Sequence, residues 1–153
     1  MSEQDIRKHV ERYLSEARIM QLATDRDGQP WICNLHFAVD GDSNMYWLSK
    51  PTRRHSEDIV NNPRVAVAIA VKTNKPVIGI QATGVVQIVT NTHLLETVMG
   101  DYRQRHGTDA SFADQIIAGT NEHKLYQFSP DSFNLFDEVN FATQPLQKWV
   151  INK

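Results

Sequence analysis

The feature that most constrains this chain is a sustained alternation in residues 31–39. Trp31, Cys33, Leu35, Phe37 and Val39 alternate with Ile32, Asn34, His36 and Ala38. A period of two puts the two sets on opposite faces of a β-strand, and no helix keeps that pattern. Turn chemistry bounds the run on both sides. Asp25-Arg26-Asp27-Gly28 precedes it, with Gly28 free to adopt positive φ, and Asp40-Gly41-Asp42-Ser43-Asn44 follows it. Residues 19–24 and 45–49 read as the flanking strands. Two consecutive hairpins predict an antiparallel meander.

The rest of the chain extends that β framework. Val65, Val67 and Ile69 alternate with Ala66, Ala68 and Ala70, which predicts a strand buried on both faces. Residues 77–89 read as a long strand holding Gly79 and Gly84, where a bulge, a bend or a close backbone approach is expected. Residues 125–128 and 132–136 read as two strands joined by a turn at Ser129-Pro130-Asp131. Helices are predicted from Ser2, with Asp5 completing a capping box, to near Arg18, and over residues 52–61. Further helices are predicted from Asn91 or Thr92 to Gly107, and from a capping box at Ser111 and Asp114 to Gly119. Apolar Phe141, Trp149, Val150 and Ile151 mark the C-terminal stretch as part of the core. The expected class is mainly β (α+β), a small antiparallel barrel with appended helices, because closure removes exposed sheet edges.

A length of 153 residues with 41% apolar content fits one domain over residues 1–153. A net charge of −2 lacks the basic excess of a nucleic-acid or anionic-membrane surface, so neither is an expected partner. The single cysteine, Cys33, excludes an intrachain disulfide and any multi-cysteine metal site. The polar N-terminus is not a signal peptide and no run is long enough to span a bilayer, so a soluble cytoplasmic protein is expected.

Most catalytic signatures are missing. No two glycines are spaced Gly-x-Gly, and no serine lies in Gly-x-Ser-x-Gly. Gly79 and Gly84 have the spacing of a phosphate loop, but Val85 and Val86 stand where Lys and Ser or Thr are needed. The six histidines show no zinc spacing, so no metal site is expected. Cys33 sits among apolar neighbours and reads as a small buried hydrophobe. A helix-turn-helix around Gly107 fails because the second helix has no basic residue. One segment stands apart. A strand ends at Ser49 and runs through Lys50-Pro51-Thr52-Arg53-Arg54-His55 into a helix. Hydroxyls, positive charges and an imidazole gather at a helix N-terminus, where free N–H groups favour an anion, most naturally a phosphate.

Ser49-Lys50-Pro51-Thr52-Arg53-Arg54-His55, followed by Asn62-Pro63-Arg64-Val65, resembles the pyridoxamine 5′-phosphate oxidase-like, FMN-binding split β-barrel family. The Asp27-Gly28-Gln29-Pro30 hairpin and Gly84 in the long strand fit the same pattern. Within the family the chain is most similar to small bacterial YhbP-like proteins. The resemblance implies a Greek-key split barrel, a homodimer and FMN in a groove between the two subunits. Carried over, Ser49 and Arg54 contact the phosphate with Arg53 and His55 beside them, and Leu35 and His36 lie along the flavin ring or ribityl chain. Arg53 stands where the family has serine, and His55 where it has lysine. A phosphate facing His55 is expected to raise its pKa. Trp31, Trp47 and Trp149 are candidate interface aromatics. The implied function is a flavin-dependent oxidoreductase acting on an unknown small molecule. The alternative is a non-enzymatic barrel that binds or senses a flavin, a flavin-like cofactor or haem.

Overall fold

The computed structural model describes residues 2–152. In chain order the elements are α1 (Glu3–Glu16), β1 (Ile19–Arg26), β2 (Gln29–His36), β3 (Ala38–Val39), β4 (Met45–Ser49) and α2 (Arg54–Asn61). Then come β5 (Arg64–Lys72), β6 (Ile78–Ile88), α3 (Thr92–His106), α4 (Ala110–Ala118), β7 (Lys124–Asp137) and β8 (Leu146–Val150). The strands form one antiparallel sheet in the order β2-β1-β5-β6-β7-β4-β3, with β8 also pairing β7. It curls around a core of Leu14, Met20, Leu22, Phe37, Trp47, Phe128 and Phe133. This is an α+β split barrel, as expected.

Local chemistry explains most boundaries. Ser2 caps α1 by accepting from the Asp5 N–H, and the Asp5 carboxylate accepts from the Ser2 N–H. Ile6, Val10, Tyr13 and Leu14 then form its buried stripe. The β1–β2 hairpin turns on Asp27 and Gly28, at φ 51° and 85°. Two left-handed residues give a turn whose twist matches the flanking strands, so the turn is tighter than the four-residue one read from sequence.

The alternating run is not one strand, and the meander is corrected. β2 pairs with β1 at one end of the sheet, whereas β3 pairs with β4 at the other. The change of partner falls at Phe37. Its side chain is fully buried, its N–H donates to the Arg18 carbonyl at 3.3 Å, and its carbonyl meets His106 Nε2 at 2.7 Å. The Arg105 guanidinium lies 4.9 Å over its ring. Alternation reports which face a residue occupies but not which strand lies beside it.

The turn expected at residues 129–131 is also absent. β7 runs unbroken through Pro130, which sits where its outer partner changes from β4 to β8. Proline has no ladder N–H to contribute, so a handover between partners suits it. On the other side, the β6–β7 register shifts between Thr83 and Gly84. A Cβ on Gly84 would lie 2.2 Å from the Ser129 carbonyl oxygen, so only glycine lets the backbones approach this closely.

Three smaller expectations change. β5 is buried on one face only: Val65, Val67 and Ile69 point inward while Ala66 and Ala68 are half-buried and Ala70 is exposed. α4 begins after Asp109 rather than at a Ser111 box. Trp47 and Trp149 are core residues, stacked on Tyr126 and Phe133. Of the three tryptophans only Trp31 is substantially exposed, at 44%.

Two glycine substitutions should move stability in opposite directions. Gly84→Ala should destabilise by about 1–3 kcal/mol, the usual scale of overpacking. Gly100 lies exposed within α3 with open space at its Cβ, so Gly100→Ala should stabilise by about 0.5–1 kcal/mol. Urea unfolding reads both; equal shifts for the two would contradict the close approach at Gly84.

Candidate functional site

The cationic segment lies where β4 gives way to α2. Ser49 closes β4 opposite Lys124, and a turn through Lys50–Arg53 leads into the helix. Arg53 is the N-cap in extended geometry and makes no side-chain cap. The first-turn N–H groups of α2 therefore have no side chain to accept their hydrogen bonds, and the positive end of the helix dipole is left uncompensated by a cap.

Consecutive residues of α2 project about 100° apart, so Arg54 and His55 face different neighbours. His55 turns inward and meets Ser49, with Oγ and Nε2 2.7 Å apart and both residues buried. Burial and the Arg53 charge hold the His55 pKa below its ordinary value, against a smaller opposing pull from Asp58. With its pKa held down, His55 does not supply the cation that a lysine at this position would. It acts instead on Ser49. When Nε2 carries the proton it donates to Ser49 Oγ, which leaves the hydroxyl hydrogen free for an anion.

Arg54 turns towards β1 and β2. Its Nε donates to both oxygens of Asp58, at 3.0 and 3.1 Å, and its guanidinium lies 5.2 Å over the Trp31 ring. Asp58 is fully buried and also accepts from Thr24 Oγ1 at 2.8 Å and Arg26 Nε at 2.6 Å. Burial pushes the Asp58 pKa up, but the hydrogen bonds from Thr24, Arg54 and Arg26 outweigh it and hold it below the usual carboxylate value. No hydrogen bond among the described residues joins Arg54 to Ser49; they sit on two sides of the same helix start.

The remaining candidates lie further out. Arg53 is exposed, and its charge helps depress both His55 and His123. Lys50 pairs with Glu122 at 3.0 Å. Leu35 and His36 fall on opposite faces of β2. Leu35 packs against the core, whereas His36 is exposed and stacks on His106, with ring centroids 5.0 Å apart. Thr24, Arg26 and Asp58 were not singled out from the sequence, and Trp31 was read as an interface aromatic rather than as a neighbour of Arg54. The Arg54–Asp58 spacing of four residues is a readable helix signal. The return of Thr24 and Arg26 to the same carboxylate depends on tertiary packing.

The depressed histidine leads to a pH prediction. An unfolded histidine titrates near 6.5. With the folded value lower, the unfolded state binds more protons below that pH, so stability should rise from about pH 5 to about pH 7. His106 and His123 are depressed by burial as well and add the same sign. His55→Gln should shallow the slope, by at most about 1.4 kcal/mol per pH unit for one proton. Chemical denaturation across this range checks it; an unchanged slope would mean that His55 titrates as it does in the unfolded chain.

The fold and this junction can be set beside known proteins. The family model for pyridoxamine 5′-phosphate oxidase matches residues 6–135. No curated protein matches the sequence significantly. Among solved structures, the conserved hypothetical protein Rv2991 from Mycobacterium tuberculosis is similar at 20% identity and TM-score 0.73, over 93% of this chain and 88% of that one. HutZ, the haem storage protein from Vibrio cholerae, is similar at 18% identity and TM-score 0.62, over 80% and 88%. A Clostridium acetobutylicum protein related to general stress protein 26, of the pyridoxinephosphate oxidase family, is similar at 13% identity and TM-score 0.66, over 99% and 97%. These likenesses show a common fold. The family match covers most of the chain and takes in β4, α2 and the strands around them, and by it the chain belongs to the pyridoxamine 5′-phosphate oxidase family.

Proposed function

We propose that this chain is an FMN-binding flavoprotein that uses the bound flavin as an oxidoreductase on a small molecule. One observation carries the reading: an uncapped helix start flanked by buried Ser49 and His55 on one side and Arg54 on the other, in a member of this family. A phosphate monoester fits that donor set. Free N–H groups and a hydroxyl accommodate its oxygens, and guanidinium groups balance its charge. Arg53 stands beside it at the N-cap, and Leu35 and His36 on β2 are the proposed neighbours of the ring or ribityl chain. When bound, the flavin supplies the redox chemistry, and the protein supplies position, electrostatics and exclusion of water.

A cytoplasmic homodimer is part of the proposal. Ala23, Ala66, Ala68, Gln81 and Thr83 line a shallow outer face of the sheet beside exposed Ile32. Small side chains let a second sheet approach closely, and the exposed apolar groups at its rim favour cover. No helix among the described residues is long and apolar enough to cross a membrane.

A second reading keeps the barrel but replaces turnover with binding or sensing of a flavin, a flavin-like cofactor or haem. The fold it shares with the Vibrio cholerae haem storage protein and the exposed imidazole of His36 support it. An absorption spectrum of the purified protein identifies the cofactor, since flavin bands support FMN and a Soret band supports haem. Anaerobic reduction with candidate donors then tests turnover.

For the phosphate, Arg54→Ala should weaken FMN binding by about 1.5–3 kcal/mol, roughly ten- to a hundredfold, and leave riboflavin nearly unaffected. Equal losses for both ligands would remove Arg54 from the phosphate. Light scattering at micromolar concentration should give a dimer mass; a monomer would remove the shared groove.

A further inference from the structure

We propose that Asp58 is a positioning residue: it grips the Nε edge of Arg54 so that the two-nitrogen outer edge faces the bound anion. The inference rests on the phosphate reading above and assigns a residue that the reading does not use.

Asp58 has no exposure to water, so its charge must be matched by donors within the protein. Thr24 Oγ1, Arg26 Nε and Arg54 Nε do this, all within 3.1 Å. The two arginines are held differently. Arg26 is engaged through two nitrogens, because its Nη2 also donates to Glu57 at 3.2 Å. Arg54 is engaged through Nε alone. Its Nη1 and Nη2 have no hydrogen-bond partner among the described residues, and its face is covered by Trp31 at 5.2 Å.

A guanidinium is a rigid planar fork with five N–H donors. Fixing one edge on Asp58 and one face on Trp31 leaves one edge to act. That edge holds two parallel N–H groups, which match two phosphate oxygens. Holding the fork in place before the ligand arrives removes much of the side-chain entropy that binding would otherwise lose.

Two other roles for Asp58 make different predictions. A purely structural staple between α2 and β1 would lower stability on removal and leave ligand preference alone. A purely electrostatic role would make removal favourable, because an anion near a lost carboxylate binds more tightly. Only positioning makes removal of a negative charge weaken the binding of a negative ligand.

The test measures affinity for FMN and riboflavin, by flavin fluorescence titration, in wild type and variants. The wild type should prefer FMN by roughly tenfold or more, the scale of one charged hydrogen bond. Asp58→Asn should lose most of that preference while riboflavin affinity stays within about twofold. In an Arg54→Ala background Asp58→Asn should cost nothing further, because it acts through Arg54. Arg54→Lys keeps the charge without the fork and should lose as much preference as Arg54→Ala; it serves if Asp58→Asn does not fold. Preserved or increased FMN preference in Asp58→Asn, or wild-type preference in Arg54→Lys, overturns the positioning role alone. Equal wild-type affinity for FMN and riboflavin overturns the phosphate reading, and the role of Asp58 with it.

Discussion

A carboxylate with no access to water, Asp58, sets how the helix at the site meets the sheet. It draws Thr24 and Arg26 of β1 and Arg54 of its own helix to one point. That convergence ties α2 to β1. With Arg54 and Asp58 turned to β1, His55 is turned to Ser49, and Ile59, one turn beyond His55, enters the core. The uncapped first turn is then held beside the end of β4. Only the carboxylate of this cluster is fully buried; the two arginines keep about a third of their side chains in water, so most of the cost of breaking it falls on Asp58 when its donors are removed.

A second group of polar contacts gathers at the point where the chain changes sheet edge. His106 bonds the Phe37 carbonyl and Arg105 covers the Phe37 ring. Arg105 also donates to the carbonyls of Leu14, Ser15 and Ala17, and Arg18 to those of Ser15, Glu16 and Ala17. Two arginines therefore take up the carbonyl end of α1, where the helix dipole favours positive charge. α1, the Phe37 crossing and the end of α3 meet in one cluster. The last turn of α3 thus does work that its sequence, a run of basic and polar residues, does not announce.

What was legible in the sequence follows from which signals are local. Capping at Ser2 and the αL glycines Gly107 and Gly119 act within a few residues and bound their helices where they were read, and the Asp27-Gly28 turn falls inside the four residues read for it. Gly84 was readable as a special position, though not which partner backbone it meets. Partners joined by a short turn, β1 with β2 and β3 with β4, were readable, but the order of the strands across the sheet was not. The run through Phe37 alternates without interruption while the chain crosses from one edge of the sheet to the other. Pro130 has the look of a turn, and only the handover from β4 to β8 explains its place inside a strand. At the site, the gathering of Ser49, Arg53, Arg54 and His55 was visible because four residues of one junction lie close in sequence. The division of that junction into a Ser49–His55 side and an Arg54–Asp58 side was not, since it depends on Thr24, Arg26 and Trp31 from strands far back in the chain.

The central claim is that the β4–α2 junction holds the phosphate of a flavin. A crystal structure of the protein grown with FMN tests it most directly. The phosphate should lie at the first turn of α2, within hydrogen-bond distance of backbone N–H groups and Ser49 Oγ, with the outer edge of Arg54 facing its oxygens. A phosphate bound elsewhere on the barrel, or an Arg54 side chain swung away from Asp58 to reach it, would contradict the account.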